Sequence, residues 1–342
     1  MANSKNQLNI NYKMKICLFD HHDNKYPIKG YGGIERVNQL LYITLCEAGY
    51  DTTLICVKGS DINVPNGKVI DLDFNELENI RYGRTPVSNY FNDGIFQTHT
   101  SSSKHCNFNF EGFNGKWIAT CHGDTEWAGC SYQAFVSKTQ YKKHISDGLI
   151  EGDPKKIYIL NECVDSRKLK YTEGDHDSIV WLGRICHPKG VDRLISIANE
   201  IKEDILVAGN VHDESIFNEM LKCQYIKYIG TIETEEDKVK FFSRAKLSLH
   251  TSNFSDPFPL TILEAQHCGI PVITWGNGSM IESNFSEENV CNSLEEIANR
   301  IKLNSYLNYD HNEIEKWSKS RFSEKNLLEN YTKAYQEILL DS

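Results

Sequence analysis

The chain has 342 residues, 40% of them hydrophobic and 25% charged, a soluble globular composition long enough for two cores. Its net charge of −10 denies it a global basic surface for nucleic acid or anionic lipid. No apolar run approaches the roughly 20 residues of a membrane span.

The opening MANSKNQLNINYK lacks an apolar signal region. A flexible lead-in over residues 1–13 and a cytoplasmic location are the expectations. The 11 cysteines are scattered without a repeated C-x-x-C, which favours reduced thiols. His105, Cys106, Cys121, His122 and Cys130 cluster loosely without zinc spacing, so no metal site is expected.

The first strand is predicted at 15–19 (KICLF). A long loop ending in G-Y-G-G leads to a helix over 34–48, and a second strand follows at 52–57. This β-loop-α-β order opens a doubly wound parallel sheet. Gly30, Gly32 and Gly33 let the backbone approach a ligand, or form a plain turn before a helix. Residues 60–115 give no assignment beyond a candidate strand at 94–98. The run 116–120 (KWIAT) is a strand leading into His122, with Asp124 a weaker candidate. A histidine at the carboxyl end of a parallel strand sits where open α/β sheets bind ligands. A strand at 133–137, a basic helix at 138–146 and a strand at 157–160 complete this half. Residues 166–177 are charged and read as a linker.

The second half restarts with a strand at 178–182, then G-R-I-C-H-P-K-G over 183–190 and an amphipathic helix over 191–200. Arg184 offers a planar fork for phosphate oxygens and Lys189 a compact point charge. Strands at 204–207 and 225–230 and a helix at 234–245 follow. The stretch 247–282 then reads strand, polar loop, helix, strand, loop. Asp256 lies on the loop and Glu264 eight positions on, within a helix over 260–268; a strand at 271–274 follows. A helix start presents free N–H groups to a phosphate, and two carboxylates can accept hydrogen bonds from hydroxyls. That suits a sugar nucleotide; an ordinary βαβ unit with two solvated acids has the same spacing. Terminal helices are predicted near 313–319 and 324–340.

D-P-F-P-L-T-I-L-E followed by A-x-x-x-G-I-P-V-I resembles the E-x7-E signature of retaining glycosyltransferase family four, within glycosyl transferases group 1. Asp256 stands for the first Glu and Pro259 for a Gly. The segment from Gly183 to Gly190 matches the family's G-R-x-x-x-x-K-G. G-G-I-E-R resembles its N-terminal glycine loop, and N-E-C-V-D its N-G-V-D turn with Glu162 in place of Gly.

The resemblance implies an α/β GT-B fold, two facing Rossmann-like domains with the site in the cleft between them. The domains are expected at 14–165 and 178–320, with residues 321–342 crossing back to the first. It implies transfer of a sugar from a nucleoside-diphosphate donor, a UDP-sugar favoured, to a hydroxyl with retention and without metal or other cofactor. The diphosphate would lie across Gly32, Gly33, Arg184, Lys189 and Leu260, with Phe258 beside it. Gly230 and Thr231 would hold the base, Glu264 the ribose hydroxyls and Asp256 the sugar hydroxyls, while His122 touches the sugar. The acceptor stays open: a glycan, lipid-linked sugar or small molecule is favoured over modified nucleic acid. A sugar-nucleotide epimerase on the same fold and a non-catalytic sugar-nucleotide-binding subunit are the alternatives. A dehydrogenase is a poor reading, because the first βα loop lacks the dinucleotide fingerprint.

Overall fold

The computed structural model describes residues 14–30, 32–100, 106–123, 130–150 and 154–341. Its apolar runs become parallel strands covered on both faces, as such runs require. In the first half, β1 (Lys15–Phe19), β2 (Asp51–Val57), β3 (Gly67–Leu72), β4 (Ile95–Thr100), β5 (Lys116–Cys121), β6 (Tyr132–Phe135) and β7 (Lys156–Ile159) form one sheet in the order β3-β2-β1-β4-β5-β6-β7. Ile16 of β1 lies opposite Thr52 on one side and Ile95 on the other. Helices α1 (Gly33–Glu47), α2 (Phe74–Arg81) and α3 (Lys138–Ser146) belong to this half.

The second half repeats the plan. Strands β8 (Ser178–Leu182), β9 (Ile205–Ala208), β10 (Ile226–Tyr228), β11 (Ala245–His250), β12 (Val272–Trp275) and β13 (Val290–Cys291) run parallel in the order β10-β9-β8-β11-β12-β13. Its helices are α4 (Val191–Ile201), α5 (Glu214–Met220), α6 (Glu235–Phe242), α7 (Leu260–His267), α8 (Met280–Ser283) and α9 (Leu294–Lys302). In each sheet the winding direction reverses beside the first strand, between β1 and β4 and between β8 and β11. Such a reversal opens a crevice at the carboxyl ends of the strands, where ligands bind.

Helices α10 (His311–Phe322) and α11 (Glu324–Leu339) end the chain. Leu327, Tyr331, Ala334, Tyr335 and Ile338 form the buried stripe of α11. The Tyr335 hydroxyl donates to Gln97 at 3.1 Å, and the Tyr331 hydroxyl lies 3.3 Å from that of Thr120. Both contacts pin α11 to the first sheet. Burial of each large side chain on that stripe contributes roughly 1.5–3 kcal/mol. One core cluster runs from Ile16 and Leu18 through Tyr331 and Tyr335 to Phe258 and Leu263, so the two halves share it.

The candidate strand at 94–98 is β4, and the rest of residues 60–115, which carried no assignment, contains β3 and α2. The helix predicted over 234–245 ends at Phe242, because Ala245 opens β11. The segment between β9 and β10 holds α5, started by the Asp213 carboxylate accepting from the Ser215 and Ile216 amides.

Candidate active site

The carboxyl edges of the two sheets are tied face to face. The Glu282 carboxylate, on α8, accepts from the Lys138 amide at 3.0 Å, the Thr139 amide at 2.7 Å and the Thr139 hydroxyl at 2.5 Å. It thereby caps α3 of the other half, adding a negative charge at the positive end of the helix. On the other side Arg36 of α1 bonds Glu235 of α6 at 2.6 Å. Between them, a methyl placed on Gly33 would lie 3.8 Å from Leu260, so the glycine loop rests against the start of α7. Gly32 adjoins it as the N-cap of α1.

Lys189 and Asp256 meet at the switch point of the second sheet. A single turn, His187–Lys189, brings the chain to Gly190, whose φ is 73°. A Cβ there would sit 1.7 Å from the Thr251 carbonyl oxygen, so only glycine lets this loop close onto the end of β11. The closure sets Lys189 Nζ 2.7 Å from Asp256 Oδ2 and 4.8 Å from the centre of the Phe254 ring. His250, the last residue of β11, places Nε2 3.8 Å from the same oxygen. Burial holds its imidazole down to about 4 despite the attraction of Asp256. Arg184, two residues past β8, is half-buried on the same edge.

Glu264 projects from α7, whose N-cap is Pro259. It is buried, and its partner is Lys238 of α6, a residue that sequence reasoning missed. Lys238 also bonds Glu235 at 3.2 Å, so Arg36, Glu235, Lys238 and Glu264 form one network across the cleft. The only advance signal was an i, i+3 charge pair on a predicted helix. A cavity of about 220 Å³ lies here, lined by Arg36, Glu235, Leu260 and Glu264 among others from both halves. The Lys189–Asp256 pair lies outside that lining.

His122, just past the end of β5, has a buried side chain with both ring nitrogens engaged. Nδ1 lies 2.5 Å from Glu162 Oε1, and Nε2 lies 2.9 Å from His99 Nδ1. Burial pushes the Glu162 carboxyl up, the nearby charge of Asp256 adds to this, and His122 and Lys189 oppose it. The charges of Lys189 and Asp256 thus act on the Glu162–His122 pair. Phe258 packs against Phe322 at 5.5 Å in the core. Gly230 and Thr231 follow β10, and the Gly230 carbonyl accepts from the Gly209 amide. Asp124 and His105 lie outside the described residues.

Two cysteines of the cluster have backbone partners. Cys121 Sγ turns to the Gly123 carbonyl, and Cys130 Sγ to that of Tyr132. Among the described residues, one group could present three ligand atoms to a metal: Asp20, His21 and His22, whose donor atoms lie within 4.8 Å of one another. Both Asp20 oxygens are already committed there, one to His22 Nδ1 and one to the Tyr26 hydroxyl.

Residues 166–308 match the family glycosyl transferases group 1. Comparison with curated proteins finds no match. Among solved structures, AviGT4, a glycosyltransferase involved in avilamycin A biosynthesis, is similar with a TM-score of 0.76 at 18% identity, over 96% of this chain and 99% of that one. Sucrose-phosphate synthase from Thermosynechococcus elongatus gives 0.74 at 15% identity, over 96% and 100%. Anabaena HepE, solved with UDP and glucose, gives 0.70 at 14% identity, over 95% and 100%. The fold is GT-B. No helix among the described residues is long and apolar enough to cross a membrane.

Proposed function

With residues 166–308 as a glycosyl transferases group 1 domain on a GT-B fold, we propose that the chain is a retaining glycosyltransferase moving a sugar from a nucleoside-diphosphate donor to an acceptor hydroxyl. The observation that carries this reading is the Lys189–Asp256 pair at the switch point of the second sheet, whose charges act on the Glu162–His122 pair at the edge of the first. The donor diphosphate lies against the α7 N–H groups, Gly32–Gly33, Arg184 and Lys189. These donors are fixed before reaction and meet the charge that develops as the sugar departs, so the reaction needs no metal. Glu264, held in place by Lys238, accepts from the ribose hydroxyls. Asp256 turns from Lys189 to the sugar hydroxyls as the diphosphate takes up the ammonium. The acceptor attacks from the face the diphosphate leaves, losing its proton to a phosphate oxygen. UDP is the favoured nucleotide; the similar fold of HepE, solved with UDP and glucose, supports that choice.

The test is turnover with a panel of UDP-, GDP- and ADP-sugars and mixed hydroxyl acceptors, following nucleotide release and the anomeric proton of the product by NMR. The reading expects free nucleoside diphosphate and a product anomer matching the donor. An inverted product would refute retention. Nucleotide binding without release under any acceptor would replace the enzyme by a binding subunit, and conversion of the donor sugar alone by an epimerase.

A further inference from the structure

The carboxyl edge of the first sheet holds a chain of three buried side chains, Glu162, His122 and His99, at the ends of three different strands. The side chains of His122 and Glu162 are 2% and 8% exposed. His99 lies beneath them, its ring 6.0 Å from that of Tyr331. Its Nδ1 meets His122, while its Nε2 is buried and has no hydrogen-bond partner among the described residues.

The two histidines allow two arrangements of protons. In one, His99 donates from Nδ1 to His122 Nε2, and His122 donates from Nδ1 to Glu162, leaving His99 Nε2 a bare acceptor. In the other, every proton shifts one place and His99 carries an orphaned N–H at Nε2. Orphaned buried N–H groups are rarer in proteins than under-used acceptors, and a carboxylate prefers to accept. Burial also holds His99 neutral, with His122 acting in the same direction. The network therefore selects the first arrangement.

We propose that Glu162 is a positioning residue that fixes His122 as the neutral Nδ1–H form, so that His122 meets the donor sugar as a hydrogen-bond acceptor and not as a donor or a cation. The sugar contact rests on the glycosyltransferase reading; the proton arrangement does not. His122 reaches the sugar by releasing His99 and keeping Glu162, the shorter of its two bonds. Protonation of Glu162 reverses the chain, since its O–H then donates to His122 Nδ1 and turns Nε2 into a donor. Activity accordingly falls on the acid side with a limb set by Glu162. The charged and titrating groups around the chain are Lys189 and Asp256 facing Glu162, and Asp20 and His22 facing His99.

The experiment reads the two-bond proton–nitrogen couplings of the histidine rings in the ligand-free protein, with His122 assigned through His122→Asn. The expected pattern for His122 is Nδ1–H above the acid limb, changing to a mixture in Glu162→Gln. In the transfer assay Glu162→Gln lowers kcat by about tenfold, equivalent to about 1.4 kcal/mol, leaves the donor KM unchanged and removes the acid limb. An Nε2–H pattern in the wild type overturns the proposal without any variant. So does an unchanged pattern in Glu162→Gln, or an acid limb that survives it. A wild-type protein that transfers no sugar overturns the assigned function and the sugar contact, while the ring couplings still decide the role of Glu162.

Discussion

Lys238→Met strands a buried carboxylate. Lys238 and Glu264 each have side chains 7% exposed and pair directly. Glu235, the other partner of Lys238, is 18% exposed and keeps Arg36 at 2.6 Å. The substitution thus leaves Glu264 alone without a cation. Methionine retains most of the lysine stem, so packing is largely preserved. Breaking a buried pair from one side costs roughly 3–5 kcal/mol, whereas removing both charges is often close to neutral. The assay is a double-mutant cycle in urea over wild type, Lys238→Met, Glu264→Gln and the double variant. Lys238→Met should lose about 3 kcal/mol, and Glu264→Gln in that background should restore most of it. A single-variant loss below about 1 kcal/mol would place the pair with ordinary surface bridges. Strictly additive losses would show that the two charges do not act as a unit. Either result would refute Lys238 as the group that holds Glu264 in place.

Glu282→Ala should lower stability by about 1–2 kcal/mol, the scale of a lost helix cap, and raise the radius of gyration in solution scattering by freeing α3 from the second half. A cleft held elsewhere would leave the scattering unchanged. The fold should also be acid-labile. Burial holds His21 down to about 3, and His250 and His267 down to about 4. The unfolded chain protonates each near 6.5. Between about 6.5 and 4 the unfolded state therefore binds more protons, and stability is lost as pH falls, by up to about 1.4 kcal/mol per pH unit for each histidine. Glu162, with its carboxyl pushed up by burial, works the other way with one proton. Urea midpoints between pH 7.5 and 4.5 should decline; a flat or rising midpoint would contradict the buried neutral histidines.

The elements legible in the sequence are those with sharp punctuation. KICLF and SIVWL are short, mostly apolar runs, and they became β1 and β8, the strands beside which each sheet reverses its winding. The helix predicted over 260–268 is α7, whose C-cap Cys268 is followed by Gly269 at φ 75°. β3 escaped because it is an edge strand whose side chains are mostly half-buried, so it shows no apolar run. α2 buries only Leu77 and Ile80, too few for a periodic signal, yet its capping box of Asp73 and Glu76 was readable. α9 carried a similar cue, with Ser293 taking the Glu296 amide.

Within the candidate site, Arg184, Lys189, Asp256 and Glu264 were visible as residue types at fixed spacing. Their partners were not, because those partners are set by folding. Lys238 reaches Glu264 from a neighbouring helix, Glu162 reaches His122 across the first sheet, and Glu282 reaches α3 from the opposite half. Phe258 stands in the ligand motif, and its ring packs on Phe322 in the core.

The account depends most on a nucleoside diphosphate seated between Lys189, Arg184 and the start of α7. A thermal-shift panel of UDP, GDP, ADP, CMP and NAD, each with and without magnesium, tests this directly. A ligand bound only to the folded state at 100 times its Kd stabilises by about 2.7 kcal/mol. The account predicts a raised Tm with one nucleoside diphosphate, UDP favoured, undiminished without magnesium and lost in Arg184→Ala and Lys189→Ala. A flat response to every diphosphate, or a response to NAD alone, would contradict it.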